Sequence, residues 1–240
     1  MSDISPDVLE FAKVVAPESL VIDDFTFDVY DKVVRYDLKT IFYRYNEIKC
    51  KGFWFQGKQG VGKSVAMAML SGLLYKKQIA EKLNKPQNEI YNYLKNNYKW
   101  LNEVALSRVD CWINWNYFSN IYQDYKQDKT VSKLVNAYNN CPVLYIDDFG
   151  SCAMADRGAL ELIYGVINHR LDYGRPIMVT SNIMMSEVKG MAGFDRLADK
   201  LKGGFYNEVQ FRNCENLRRL DDFIGNTEYI LSEEKEVRIS

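Results

Sequence analysis

Eight consecutive residues in the first third of the chain, Gly57-Lys58-Gln59-Gly60-Val61-Gly62-Lys63-Ser64, carry the spacing GxxxxGK[ST]. Glycine at three of these positions lets the backbone turn tightly, so that successive N–H groups can face one anion. A helix that starts there adds its positive end. Lys63 can reach the β- and γ-phosphates of a nucleoside triphosphate, and the Ser64 hydroxyl can ligate Mg2+. With Val65 next in line, residues Gly57 to Val65 form the candidate nucleotide-binding set. The flanks are those the chemistry requires: Gly52 to Gln56 (GFWFQ) reads as a strand, and SVAMAMLSGLLY after the loop reads as a helix.

A second constellation follows about 85 residues later, where the hydrophobic stretch Val143-Leu144-Tyr145-Ile146 runs into Asp147-Asp148. A buried strand ending in carboxylates, downstream of a phosphate loop, is the Walker B arrangement. Asp147 is then the candidate that holds Mg2+ with Ser64, and Asp148 the candidate that polarises the attacking water. A third polar group, Thr180-Ser181-Asn182, closes the apolar run IMVT. Asn182 can orient water there if its strand lies beside the phosphate-loop strand; a helix cap is the plainer reading of the tripeptide. Lysines and aromatics interleave in Trp115, Tyr117, Tyr122, Tyr125, Lys126, Lys129 and Lys133, a pattern suited to stacking bases and meeting phosphates of a single strand. Core packing is the expected role of Trp115, Phe118 and Ile121. His169, the single histidine, has no partners that would make it a metal ligand.

These residues need a scaffold that brings strand ends together, and the order of elements supplies one. Short apolar runs at 52–56, 109–113, 142–146, 177–180 and 205–211 alternate with helical stretches, which predicts one doubly wound parallel sheet. The stretch from Trp115 to Tyr138 reads as helical with a break near Asp128. Arg157 to Leu171 reads as a core-facing helix through Leu160, Ile163, Tyr164 and Ile167, and 194–202 as a further helix. Asn84 to Glu103, polar and rich in Tyr and Asn, reads as a surface helical insertion with Ile90, Leu94 and Leu101 at helical spacing. The expected organisation is an acidic segment over 1–49, a core over 50–220 with an insertion at 79–104, and an acidic tail over 221–240.

With 47% hydrophobic and 26% charged residues in 240, the chain can bury a core and is not a disordered polyelectrolyte. No apolar run is long enough for a membrane span, and the first residues lack the order of a signal peptide. Five cysteines (Cys50, Cys111, Cys141, Cys152, Cys214) with no CxxC pair predict neither a zinc site nor a disulfide framework, hence a reducing cytoplasm. The net charge of −1 conceals an uneven distribution: −7 over residues 1–31, −4 over 221–240, and so +10 over 32–220. A basic middle suits a polyanion as partner, or equally a set of solvated helix faces.

The sequence GKQGVGKS, then LYIDDFG, then Asn168-His169-Arg170, then PIMVTSN, resembles the AAA+ ATPases of the DnaC/DnaI helicase-loader group and the related IstB transposition ATPases. The likeness covers about residues 50–220. It implies an AAA+ core with strand order 5-1-4-3-2 and a small or absent lid, ATP and Mg2+ as ligands, and homo-oligomeric assembly on single-stranded DNA with a replicative helicase as partner. It further implies Asn182 as sensor 1 and, through Gly193-Phe194-Asp195-Arg196-Leu197-Ala198-Asp199-Lys200-Leu201, Arg196 as an arginine finger acting on a neighbour's nucleotide. Read from the residues alone, Arg196 can instead pair with Asp195 or Asp199 on its own helix. Phe211 followed by Leu217-Arg218 resembles the closing motif that places sensor 2 at Arg218, with Arg219 as its rival. The acidic 1–49 segment and the 79–104 insertion depart from the loader pattern and bear on the partner more than on the ATPase. The alternatives are a transposition helper, a P-loop small-molecule kinase, and a non-hydrolysing ATP-binding scaffold. The missing arginine-bearing lid argues against the kinase, and intact Lys63, Ser64 and Asp147 argue against the scaffold.

Overall fold

The computed structural model describes residues 10–13, 16–17, 20, 52–96, 112–151, 156–190, 199, 207–211 and 237–239. Its centre is β1 (Gly52–Gly57), whose Phe53, Trp54 and Phe55 are all buried. A parallel strand covered on both faces needs apolar side chains in both directions, so an unbroken apolar run forms it rather than an alternating one. The same holds for the first three residues of β3 (Leu144–Phe149) and of β4 (Ile177–Ser181), after which polar residues follow. With β2 (Trp112–Asn114), β5 (Asn207–Phe211) and β6 (Val237–Ile239) they form one sheet in the order β2-β3-β4-β1-β5-β6. The first five strands are parallel and give the expected order 5-1-4-3-2. β6 is an addition: it pairs antiparallel with β5, with Val209 opposite Ile239, so part of the acidic tail joins the sheet.

The helices are α1 (Lys63–Leu83), α2 (Gln87–Lys95), α3 (Phe118–Gln127), α4 (Val131–Asn140) and α5 (Arg157–Asp172), with a 3-10 helix at Met185–Gly190. The predicted break near Asp128 is the α3–α4 junction, where Lys129 takes a left-handed conformation with φ 56°. α1 runs a further two turns past Tyr75, and its second half packs with α2 and the helical turn at 10–13 in a satellite core of Phe11, Tyr75, Ile79, Ala80 and Ile90. Ile90 of the expected surface insertion is therefore fully buried.

The buried face of α5 is rotated from the predicted one. Ala159, Ile163, Val166, Ile167, Arg170 and Leu171 are buried, whereas Leu160 and Tyr164 are half-buried. Arg170 lies on this buried face. Its guanidinium, 0% exposed, donates to the carbonyls of Tyr138 (2.7 Å), Cys141 (2.9 Å) and Pro176 (2.8 Å). Some of these are orphan carbonyls at the end of α4 and others lead into β3 and β4, so one rigid donor fork joins three elements. The predicted helix at 194–202 lies outside the described residues apart from Asp199, as does any lid beyond β5 up to residue 236.

Candidate nucleotide site

The sheet order places the carboxyl ends of β1, β3 and β4 side by side, the position at which open α/β sheets present their ligand sites. The phosphate loop leaves β1 at Gly57. A Cβ there would lie 2.9 Å from Phe211 Cβ and 3.0 Å from Phe211 O, so glycine is required by the close passage of β5. Gly60 and Gly62 have φ of 85° and 88°, the left-handed region in which glycine is least strained. Gly62 is the N-cap of α1 and no side chain caps the helix, so its first N–H groups face the loop. Val61 anchors the loop in the core at 2% exposure, Lys58 and Gln59 are exposed, and Val65 is half-buried.

Lys63 is 5% exposed, and its ammonium donates to Gly57 O (2.9 Å), Lys58 O (2.8 Å) and Asn182 Oδ1 (2.8 Å). The last bond joins the phosphate loop to the end of β4 and brings together two residues 119 apart in sequence. Ser64 Oγ donates to Asp147 Oδ1 (2.7 Å), which links the loop to β3 as well. Thr180 Oγ1 donates to the same oxygen at 2.6 Å. Burial pushes the Asp147 carboxyl above the ordinary aspartate range, with the hydroxyls of Thr180 and Ser64 opposing that rise. The donor set suits a hard cation. The one proton of Ser64 is directed to Asp147, which leaves the serine lone pairs for a metal, and Asp147 supplies a carboxylate beside it.

Asp148 departs from strand geometry. The β3–β4 register moves from Ile146 opposite Val179 to Phe149 opposite Ser181, and the bulge holds Asp148 at φ 58°. Its N–H donates to Thr180 Oγ1 at 2.9 Å. In an unbroken strand Asp147 and Asp148 would project to opposite faces; one extra residue in the left-handed region breaks that alternation at the site. Ser181 closes the strand ends by donating to Phe149 O at 2.8 Å.

Lys63, Ser64, Asp147 and Asn182 thus meet in one cluster, with Asp148 adjoining it. Arg196, Arg218 and Arg219 lie outside the described residues. Thr180 is the residue whose part in the site the sequence did not disclose: the strand-end tripeptide pointed to it, but its bonds to Asp147 and to the Asp148 N–H depend on the bulge in β3. In the interleaved segment, Trp115 and Phe118 are buried, Tyr122 and Tyr125 are half-buried against the core, and Tyr117, Lys126, Lys129 and Lys133 are exposed. Among the described residues no group of His, Cys, Asp and Glu resembles a further metal site, and no helix is long and apolar enough to cross a membrane.

A phosphate loop on the central strand, an acidic strand end one place removed from it, a polar residue ending the strand between them, and the order 5-1-4-3-2 define the fold: a P-loop α/β fold of the AAA+ type. Within that class the chain is similar in sequence to the replicative helicase loader DnaI of Bacillus subtilis (strain 168), at 26% identity over 157 residues. The match covers 65% of this chain and 41% of the loader, so the chain spans about two fifths of the length of that relative. No protein-family profile matches. Among solved structures, DnaI superposes with a TM-score of 0.51 at 16% identity, covering 87% of this chain and 95% of that one. AMPPCP-bound DnaA from Aquifex aeolicus superposes with a TM-score of 0.50 at 15% identity, covering 89% of this chain and 56% of that one. These likenesses are of fold.

Proposed function

We propose that this chain is an ATP-dependent AAA+ protein of DNA replication that acts as a helicase loader. In this reading residues 50–220 are the ATPase core, 79–104 an insertion, and 1–49 and 221–240 acidic segments, of which 10–13 pack on α1 and 237–239 on β5. ATP binds along Gly57 to Val65 with its β- and γ-phosphates at Lys63. Ser64 and Asp147 hold Mg2+, which when bound neutralises charge on the phosphate oxygens. Asp148 polarises the attacking water and Asn182 positions it. Arg196 of a neighbouring subunit and Arg218 complete the site on assembly. Single-stranded DNA is met by the exposed Lys126, Lys129 and Lys133 with Tyr117.

The observation that carries the reading is the junction of loop, β3 and β4 through Lys63–Asn182 and Ser64–Asp147. A structural glycine turn has no need for either bond. The sequence likeness to a helicase loader supports the choice of replication over other AAA+ roles. Two experiments test it. ATP turnover should rise on adding single-stranded DNA; a rate unchanged by DNA contradicts the loader and favours a kinase-like enzyme. A tagged chain should retain a hexameric replicative helicase in pull-down; retention of a transposase instead assigns it to the transposition helpers.

A further inference from the structure

Thr180 is fully buried, and its hydroxyl has two partners with opposite demands. It donates its one hydrogen to Asp147 Oδ1 at 2.6 Å and accepts the Asp148 N–H at 2.9 Å. Both partners lie at the bulge in β3, where Asp148 stands at φ 58°. Asp147 Oδ1 also receives the Ser64 proton, so the Thr180 bond fixes how that carboxylate faces the phosphate loop. Valine matches threonine in shape but lacks the hydroxyl. It would remove one donor from a buried carboxylate and leave a partly buried N–H without its acceptor, and both losses act on the bulge.

We propose that Thr180 is a positioning residue that sets both acidic residues of the site: through its proton it orients Asp147 toward Ser64 and the metal, and through its lone pair it holds Asp148 in the left-handed conformation. The proposal rests on the ATPase reading of the same site. Thr180 does not touch nucleotide; it acts through its two neighbours.

The test uses the full chain with mant-ADP as the binding probe, titrated with Mg2+ and, separately, in EDTA. Thr180→Val should raise the Mg2+ concentration needed for tight binding by ~10-fold or more and lower ATP turnover by a similar factor, as for other residues that orient metal ligands. Its affinity in EDTA should stay within about twofold of the parent, because the phosphate loop is untouched. Thr180→Ser, which keeps the hydroxyl, should recover both the Mg2+ dependence and the turnover. A valine variant with the parent's Mg2+ dependence overturns the proposal, as does a serine variant as impaired as valine, since the methyl group would then be the cause. A readout that needs no variant is the Asp148 amide proton in the parent chain, which should be protected from solvent exchange; free exchange also overturns it. Lys63→Ala in the same titration separates the two levels. If it leaves mant-ADP binding intact, the nucleotide site itself is refuted. If it weakens or abolishes binding while Thr180→Val behaves as the parent, only the role of Thr180 falls.

Discussion

The ammonium of Lys63 has three hydrogens, and two phosphate-loop carbonyls and Asn182 Oδ1 stand ready to accept them. A charge that is 5% exposed is tolerable on those terms, and an anionic phosphate oxygen is a stronger acceptor than the neutral amide of Asn182. Lys63→Ala should weaken nucleotide binding ~10- to 100-fold, the equivalent of a charge-assisted hydrogen bond of about 1.5–3 kcal/mol, measured by anisotropy of a labelled nucleotide. Affinity equal to the parent's would remove Lys63 from the site. Asp148→Asn should bind nucleotide normally yet turn over ~100-fold more slowly, because the amide cannot take a proton from water. Basal turnover should already be slow, since aspartate is one methylene shorter than the glutamate most AAA+ enzymes place there; unchanged turnover in the variant would dismiss Asp148 as the base. That Lys63, Ser64 and Asp147 lie on a loop and a strand end that meet was legible in the sequence, because local spacing places each of them. The two hydrogen bonds of Thr180 were not, because they depend on a one-residue bulge in β3 that no periodicity reveals.

At the scale of elements, the parallel sheet was legible in apolar runs alternating with helical stretches, whereas the order of its strands came from the family resemblance and not from any pattern in the residues. β6 escaped notice because three residues in a charged tail carry no strand signal. The rotation of α5 escaped for a different reason: a hydrophobic pattern cannot foresee that an arginine is as fully buried as Ala159 and Ile163 on the same helix. Two elements yield predictions. Gly72 lies within α1 against the helical turn at 10–13, where a Cβ would come 2.6 Å from Ala12 N and 3.0 Å from Phe11 C. In an undocked helix Gly72→Ala would stabilise by up to about 1 kcal/mol. Here it should lower the Tm and speed proteolysis near residue 13, because the turn must leave its seat on Tyr75. A raised Tm with unchanged cleavage would show that the turn does not dock. Asp156 caps α5: the Ala159 N–H, aided by Gln123, holds its carboxyl below the usual range. A lowered pKa contributes stability above the ordinary value that is lost as pH falls through the folded one. Asp156→Ala should therefore have a reduced Tm at pH 7, with the deficit shrinking below about pH 4. A deficit independent of pH would mean that the charge of the cap contributes nothing.

Over the whole molecule, a segment of +10 between acidic ends is the feature that points to a polyanion, and α3 and α4 present exposed lysines from it. Single-strand affinity should fall steeply with salt, and replacing Lys126, Lys129 and Lys133 together by Ala should reduce the slope by about 2, near 0.7 per phosphate contact. An unaltered slope would return these lysines to the solvated surface. The central claim, an ATPase whose sites are completed across subunits, is tested most directly by mixing two inactive variants. On the proposed assembly Lys63→Ala would lack the nucleotide half of the site, and Arg196→Ala would lack the half supplied to a neighbour, an effect worth ~10³-fold or more in well-characterised NTPases. Each alone should be inactive on single-stranded DNA, with Arg196→Ala still binding ATP, and the equimolar mixture should regain a measurable fraction of parental turnover. An inactive mixture, together with Arg196→Ala that hydrolyses ATP at the parental rate on its own, would contradict the account.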